Sequence, residues 1–234
     1  MASAWPAADL LALNRAVGVG VGVPADAGDV AALAAWYRAA RVPRCMVSLA
    51  PNARPPALAG WLEAAGFARH TTWVKLTRDA LSPPLIASDL PIRALTARDR
   101  EAFTGVLVRA FDWPRDVALA FAAAVGRSGW THFGAFDGGS LVAVGGMFVQ
   151  ADAAWLGPAA TLPAARGRGA QSALIARRIA HGRAEGCRGF VVETAEETPV
   201  RPVPSLRNLL RLGFEVAYLR PNYRLVFDPA PAAA

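Results

Sequence analysis

A short loop rich in glycine and arginine is the part of the sequence best suited to chemistry. It reads Arg166-Gly-Arg-Gly-Ala-Gln-Ser172 and lies between a strand-like run and a helical run. Glycines let successive backbone N–H groups converge, and the following helix adds the partial positive charge of its N-terminus, so such a loop can hold a phosphate. The sequence therefore predicts an anion-binding loop at this junction.

Two common phosphate-binding patterns do not fit this loop. A P-loop requires a lysine followed by serine or threonine after the turn, and no lysine lies nearby. A dinucleotide-binding fold requires a third glycine within an early βαβ unit. Here the loop comes late in the chain, and Ser172 stands where the third glycine would be. The loop therefore needs another explanation.

The charge of the chain also points to this region. The formal net charge is +7, but Lys75 is the one lysine among 25 basic residues, and such an excess of arginine is what a GC-rich coding sequence produces. Between Arg166 and Arg188 the basic residues outnumber the acidic ones by five, which makes this stretch a candidate anion site. It has no aromatic residue for stacking on bases, so we do not expect a nucleic-acid partner.

The composition excludes several other classes of protein. Hydrophobic residues make up 54% and charged residues 18% of the chain, which excludes an intrinsically disordered protein. The longest run without a charged residue, 138–151, is shorter than the roughly 18 residues of a membrane-spanning helix. The first residues lack the basic start of a secretory signal, so we expect a cytoplasmic protein. We expect Cys45 and Cys187 to be buried, reduced thiols, with no metal site.

The residues after the proline-rich segment 81–91 predict a mixed α/β unit that positions the loop. Period-2 and helical spacing predict a strand, two helices, an antiparallel meander of three strands, the loop, and then alternating helices and strands. The predicted strands are 92–95, 131–136, 141–150, 154–162, 189–194, 215–218 and 223–227. The predicted helices begin near 97, 115, 171 and 204.

The first 80 residues repeat the later half of this pattern. Gly66-Phe67 and Gly213-Phe214 both end a predicted helix with glycine and then enter a strand, 147 residues apart. Where the second unit has the arginine loop, the first has the acidic segment Pro24–Asp29, which cannot hold an anion. We therefore predict two domains, a partial, degenerate copy at 1–85 and a complete unit at 86–234.

The segment around the loop resembles the GNAT (Gcn5-related) N-acetyltransferase superfamily. The family signature R/Q-x-x-G-x-G/A follows the fourth strand, and here Thr161-Leu-Pro-Ala-Ala-Arg-Gly-Arg-Gly-Ala-Gln171 stands in that place. The resemblance covers roughly residues 90–228 and includes the run Ser205–Phe214. It implies an α/β (α+β) fold with a mixed central sheet flanked by helices, here in tandem with a partial copy.

The resemblance also implies acetyl-CoA as the co-substrate, with no metal. Backbone amides of the loop would bind its pyrophosphate, the preceding strand would pair with the pantetheine arm, and a later helix would close over that arm. The residues implied in cofactor binding are Ala159, Thr161, Arg166, Gly167, Arg168, Gly169, Ala170, Gln171, Ser172 and Asn208. Two positions depart from the family pattern, because Gln171 replaces a glycine or alanine and Leu209 replaces a tyrosine that protonates the thiolate.

The chemistry of amide formation needs a base for the amine and a proton donor for the leaving group. Glu193, at the end of a buried strand, is the candidate base, and an N-cap or solvated strand end is the alternative. Tyr218 and Tyr223 are the candidate acids, and ordinary packing is the alternative for both. We expect His132 to be a packed or edge histidine and His181 to lie on a solvated helix face.

The sequence thus predicts an acetyl-CoA-dependent N-acetyltransferase. It would transfer the acetyl group directly, in a ternary complex, to an amine of a small molecule or peptide that the sequence does not identify. The segment Phe111–Pro114 would contribute an apolar wall to the acceptor site. The alternative is a GNAT-like protein that binds CoA as a sensor or scaffold with little catalysis. We expect no membrane partner, and the oligomeric state stays open.

Overall fold

The computed structural model describes residues 1–227, which form two compact units. Unit 1 comprises Met1–Val74 together with the segment from Tyr218, and unit 2 comprises Lys75–Ala217. Among residues 1–227, no helix has both the length and the apolar character needed to span a membrane. The predicted domains at 1–85 and 86–234 divide the chain differently from these compact units, and the descent of the first segment from a second copy stays a prediction.

Unit 1 is a small mixed sheet covered by two helices. Its elements are β1 (Ala2–Ser3), β2 (Arg15–Val17), α1 (Ala27–Ala39), β3 (Arg44–Ser48), α2 (Leu58–Ala64), the first part of β4 (Ala68–Asp79) and most of β10 (Glu215–Val226). Strand β3 pairs with β2 in parallel and with β10 in antiparallel orientation. The core includes Tyr37, Cys45, Leu62 and Phe67. Burial raises the pKa of the Cys45 thiol to about 12, and both cysteines are buried and free, as predicted.

Unit 2 contains the glycine loop. Besides the parts of β4 and β10 outside unit 1, it contains β5 (Ile92–Ala94), α3 (Arg100–Phe111), α4 (Arg115–Ala122), β6 (Trp130–Asp137), β7 (Ser140–Gln150), β8 (Ala153–Thr161), α5 (Ala170–Ala184), β9 (Gly189–Ala195) and α6 (Pro204–Arg211). Strands β5 to β8 pair in sequence order as an antiparallel meander, and β9 pairs with β8 in parallel. The predicted α+β fold, with a mixed sheet flanked by helices, is confirmed.

The two faces of this sheet carry different helices. Ala143 packs with Ala170 and Leu174 of α5, whereas its neighbour Val144 packs with residues of α3 and α4. Successive side chains of a strand point to opposite faces, so α5 covers one face and α3 with α4 the other. We call these the α5 face and the α3 face. The alternation is interrupted where the ladders shift register, and there Leu141 packs with the α3 and α4 residues although Ala143 packs with α5.

The C-terminal strands differ from the prediction. The sequence predicts two strands, 215–218 and 223–227, but β10 is one strand from Glu215 to Val226. Pro221 lacks an N–H group, yet its carbonyl accepts a hydrogen bond from Leu49 N, so the strand continues through it. The sequence 13–23 also has the apolar character of a strand, but β2 ends at Val17, before Gly18, whose φ is +77°.

Candidate active site

Strands β8 and β9 stop pairing about halfway along their length. They pair over Ala153–Leu156 and Gly189–Val192, and beyond this ladder β8 continues to Thr161 paired with β7, while β9 continues to Ala195. Ala159 and Thr161 therefore lie on the β8 segment past the separation, where the sequence places a strand-like ligand contact. An unpaired strand edge offers N–H and C=O groups to an extended ligand.

The glycine loop follows β8 and leads directly into α5. Gly167 and Gly169 both adopt left-handed backbone conformations, with φ of +79° and +74°. Gly169 is the N-cap of α5, and no side chain caps the first turn. The amide groups of Ala170, Gln171 and Ser172 thus begin a helix without a side-chain acceptor, which is the arrangement that favours an anion.

Arg168 is held by two carboxylates. Its Nη2 lies 2.5 Å from Asp89 Oδ2, and its Nη1 lies 2.5 Å from Asp137 Oδ2. The hydrogen bonds from Arg168 lower the pKa of both Asp89 and Asp137, and those carboxylates raise the pKa of Arg168. Arg168 was predicted to contact the cofactor, but its side chain donates hydrogen bonds to Asp89 and Asp137. Arg166 is exposed.

The segment before β5 is part of the loop's surroundings. Ser88 Oγ donates a hydrogen bond to the carbonyl of Arg168 at 3.0 Å. A Cβ atom added to Gly169 would lie 2.6 Å from the carbonyl oxygen of Ala87. Position 169 thus requires glycine for two reasons, the left-handed backbone conformation and the close approach of another backbone segment. The proline-rich segment 81–91, whose composition is typical of a linker, therefore packs against the loop.

Helix α6 is connected to the start of α5. Asn208 Nδ2 donates a hydrogen bond to Gln171 Oε1 at 2.6 Å, and Asn208 Oδ1 accepts one from Arg211. Thr194, near the end of β9, shares a hydrogen bond with Ser205 of α6. The structure therefore brings Gln171 and Asn208 together beside the loop, although they were predicted separately. Their side chains contact each other.

The arginines of α5 do not form one anion-binding surface. Arg178 is buried, and its guanidinium donates to the carbonyls of Gly146 and Leu174. Burial lowers the pKa of Arg178 to about 10. Arg177 lies over the ring of Phe133, and Arg183 donates to Ser82 Oγ. The sequence pattern could not separate these packing roles from phosphate binding, because both place arginine at helical spacing.

Glu193 lies at the point where β8 and β9 separate. It directly follows Val192, the last residue of β9 in the ladder, and Phe190 packs against Gly182 of α5. Glu193 alternates with these residues and so lies on the α3 face. Its Oε2 accepts a hydrogen bond from Lys75 Nζ at 3.2 Å, with both side chains largely buried. Sequence reasoning missed Lys75, and its being the one lysine of the chain is the signal that could have singled it out.

The two candidate tyrosines lie in unit 1, on β10. Tyr223 is buried in the hydrophobic core of that unit, next to Leu225 of the same strand. Tyr218 is partly exposed. Packing accounts for the burial of Tyr223, and the proposed role of either tyrosine as an acid stays a prediction.

The two histidines of unit 2 lie within its packed structure. His132 is buried, as expected for a packed histidine, whereas His181 is half-buried, with Nε2 3.3 Å from Thr131 Oγ1, so its predicted solvated face is wrong. Within residues 1–227, no three His, Cys, Asp or Glu side chains are grouped so that they could hold a metal ion.

Comparison with known proteins agrees with this arrangement. The chain belongs to the acetyltransferase (GNAT) family, whose sequence model matches residues 93–224. The resemblance found in the loop residues is thereby confirmed, and the protein is a GNAT-family acetyltransferase. No curated protein sequence matches the chain.

Solved structures share the fold over most of the chain. A GCN5-related N-acetyltransferase from Kribbella flavida is 20% identical with a TM-score of 0.64, covering 93% of this chain and 83% of its own. One from Sphaerobacter thermophilus is 17% identical with a TM-score of 0.64, covering 84% and 67%. A tandem GNAT protein from the clavulanic acid biosynthesis pathway is 19% identical with a TM-score of 0.60, covering 88% and 70%. At these identities the likeness concerns the fold.

Proposed function

We propose that this protein transfers an acetyl group from acetyl-CoA to the amine of a small molecule or peptide, directly and within one ternary complex. The observation that carries the proposal is the separation of β8 and β9 beside the uncapped start of α5. A long cofactor with a pyrophosphate at one end and an extended amide-bearing arm at the other matches these two features together.

The loop and the strand edge divide the binding of acetyl-CoA between them. Backbone amides from Gly167 to Ser172 would hold the pyrophosphate, with Arg166 as the exposed charge nearby. The edge of β8 at Ala159 and Thr161 would pair with the pantetheine amides. Asn208, held against Gln171, would border the arm from α6.

The bound co-substrate supplies a thioester carbonyl that the acceptor nitrogen attacks. The nitrogen forms an amide bond, and the C–S bond breaks so that CoA leaves as a thiolate and takes up a proton. The proton of the amine must be removed. We propose Glu193 for that removal, because it directly follows the last β9 residue of the ladder and alternation directs its side chain to the α3 face. Lys75 Nζ donates a hydrogen bond to this carboxylate and holds it in place.

Replacing Glu193 with glutamine tests the proposed base. We expect kcat for acetyl transfer to fall about a hundredfold, because a neutral amide cannot take the proton. The dissociation constant for acetyl-CoA should stay unchanged, since the proposed phosphate contacts come from backbone amides of the loop. Steady-state kinetics on an amine panel and calorimetric titration of acetyl-CoA measure the two quantities.

Glu215→Gln is the matched control for this experiment, because Glu215 is exposed on β10. Its kcat should equal that of the unchanged protein. A kcat for Glu193→Gln within twofold of that value, in a folded protein, would remove Glu193 from the mechanism. Tight binding of acetyl-CoA without turnover on any amine would instead favour the CoA-binding sensor or scaffold.

The carboxylates around Arg168 give a second test, of the phosphate site. In the double variant Asp89→Asn and Asp137→Asn, we expect acetyl-CoA to bind several-fold more tightly, because two negative charges are removed near an anionic ligand and Arg168 is released. The affinity should also fall more steeply with salt concentration. Calorimetric titrations at two ionic strengths measure both effects.

The control for this double variant is Glu101→Gln, which removes an exposed ion pair with Arg115. Weaker binding of acetyl-CoA by the double variant would mean that the ion pairs of Arg168 hold the loop in its binding conformation. In that case Arg168 would be a residue that positions the loop, and it would not bind the phosphate when released from its carboxylates.

A further inference from the structure

A row of aromatic side chains crosses unit 2 beside the proposed reaction centre. Trp130 lies opposite Phe148 in the β6–β7 ladder, and Phe148 lies opposite Trp155 in the β7–β8 ladder. The ring centroid of Trp130 is 5.2 Å from that of Phe148 and 5.8 Å from that of Trp155. All three side chains are partly exposed, so the row is not closed core. We call these three residues the aromatic wall.

The aromatic wall lies on the same face as Glu193. Met147 lies against Gly182 of α5, so the adjacent Phe148 and its partner Trp155 point to the α3 face. Trp155 pairs with Val191, and Glu193 follows Val191 by two residues on that face. The wall and the carboxylate therefore lie on one side of the sheet.

Trp155 also lies at the strand separation itself. A Cβ atom added to Gly157 would lie 2.8 Å from Cζ2 of Trp155, so the indole covers the backbone of Gly157. Gly157 is the first residue of β8 beyond Leu156, where pairing with β9 ends. The six-membered ring of the indole is thus close to the place where the strand edge becomes free for the co-substrate.

The wall rests on an uncharged layer. His132 is buried, with its ring 5.5 Å from Trp130 and nearly parallel to it, and it meets Phe103 edge-on. Burial lowers the pKa of His132 to about 4, so the imidazole is neutral at neutral pH. Trp130 is consequently backed by neutral aromatic rings, which suit an apolar ligand body better than a polyol or a chain of charges.

We propose that Trp130, Phe148 and Trp155 form the acceptor wall of the active site, and that the acceptor is an arylalkyl amine. The flat ring of the acceptor would pack on the wall while its amine extends along the α3 face to Glu193. This assignment rests on the proposed acetyltransferase function and adds the chemical class of the acceptor to it. Trp155 is the residue that determines specificity, because its ring lies nearest the strand separation.

The acceptor class is tested first on the unchanged protein. With acetyl-CoA saturating, we expect kcat/KM for 2-phenylethylamine and tryptamine to exceed that for propylamine by about tenfold or more, since aromatic packing adds to the transition-state contacts. Spermidine and glucosamine should be poorer acceptors than 2-phenylethylamine. A preference for either of those two would overturn the proposed acceptor class.

Variants of Trp155 test the wall itself. Trp155→Leu keeps an apolar side chain but loses the flat ring, so kcat/KM for 2-phenylethylamine should fall about tenfold while that for propylamine changes little. Trp155→Phe should retain most of the preference. Trp36→Leu is the control, because Trp36 is an exposed tryptophan of α1 in unit 1. Equal losses for both amines in Trp155→Leu, with Trp155→Phe no better, would overturn the assignment by showing a structural role.

A binding measurement separates this proposal from the proposed function. Calorimetric titration of 2-phenylethylamine into the CoA-bound protein requires no turnover. Binding that is weakened by Trp155→Leu and retained by Trp155→Phe supports the wall, even if no amine is acetylated and the proposed function fails. Binding that none of the Trp155 variants alters would overturn the wall, even if acetyl transfer is observed.

Discussion

Replacing Gly169 with valine is expected to weaken the binding of acetyl-CoA at least about a hundredfold, because the cradle for the pyrophosphate depends on this backbone position. Gly169 has φ of +74°, which a β-branched residue adopts only with strain. The new Cβ would also lie 2.6 Å from the carbonyl oxygen of Ala87, so the loop or the segment before β5 must move. Either movement redirects the first amides of α5. Calorimetric titration with acetyl-CoA measures the loss.

A second glycine separates loss of binding from loss of stability. Gly186, just after α5, has φ of +86°, and an added Cβ there would meet nothing within 4 Å. Gly186→Val therefore carries the same kind of backbone strain, about 1 to 3 kcal/mol, away from the loop. We expect a lower melting temperature for both variants and a lost affinity for Gly169→Val alone. Unchanged affinity in Gly169→Val would refute the phosphate cradle.

Acid is expected to destabilise the protein through His132. Burial, and secondarily the charge of Arg178, lowers the pKa of His132 to about 4, whereas a histidine in an unfolded chain titrates near 6.5. Between these two values the unfolded chain binds a proton that the folded protein does not. The free energy of unfolding should thus have its full value above about pH 6.5. It should decrease by up to about 3 kcal/mol as the pH falls towards 4.

His132→Phe should flatten this part of the pH profile. Within residues 1–227 neither ring nitrogen of His132 has a hydrogen-bond partner, so an apolar ring also removes two buried, unpaired polar atoms. We expect the variant to be more stable than the unchanged protein by about 1 kcal/mol at pH 7, and by more at pH 5. Urea denaturation from pH 4 to 7.5 measures the free energies.

His70 provides the comparison for this profile. Its pKa is also lowered, first by desolvation and then by Arg224 and Arg44, but the residue is exposed and solvent screens it. His70→Gln should therefore leave the slope between pH 6.5 and 4 nearly intact. A slope in His132→Phe equal to that of the unchanged protein would show that another group controls the acid sensitivity.

The parts of the site that depend on local sequence were predictable. The order of elements in unit 2 follows from hydrophobic spacing and turn residues, and the glycine loop is recognisable because conformation and charge are set within a few neighbouring residues. The helix after it begins at Ala170, one residue from the predicted start. Such features need no knowledge of the tertiary structure.

The missed features depend on partners far apart in the chain. Lys75 reaches Glu193 across 118 positions, and Arg168 reaches Asp89 across 79. A sequence pattern shows each residue's type but not which distant strand or turn the fold places beside it. The arginine excess after Arg166 misled for the same reason, because burial turned Arg178 into a packing residue.

The route of the chain through its two units has a consequence for biosynthesis. Unit 1 begins with Met1–Val74, but its strand β3 pairs with Asn222–Val226 of β10, and Tyr223 and Leu225 complete its core. The ribosome must therefore synthesise all of unit 2 before unit 1 can close. Until then β3 has an unpaired edge, the kind of surface on which nascent chains aggregate or recruit chaperones. Unit 1 is therefore completed last, although most of its residues emerge first.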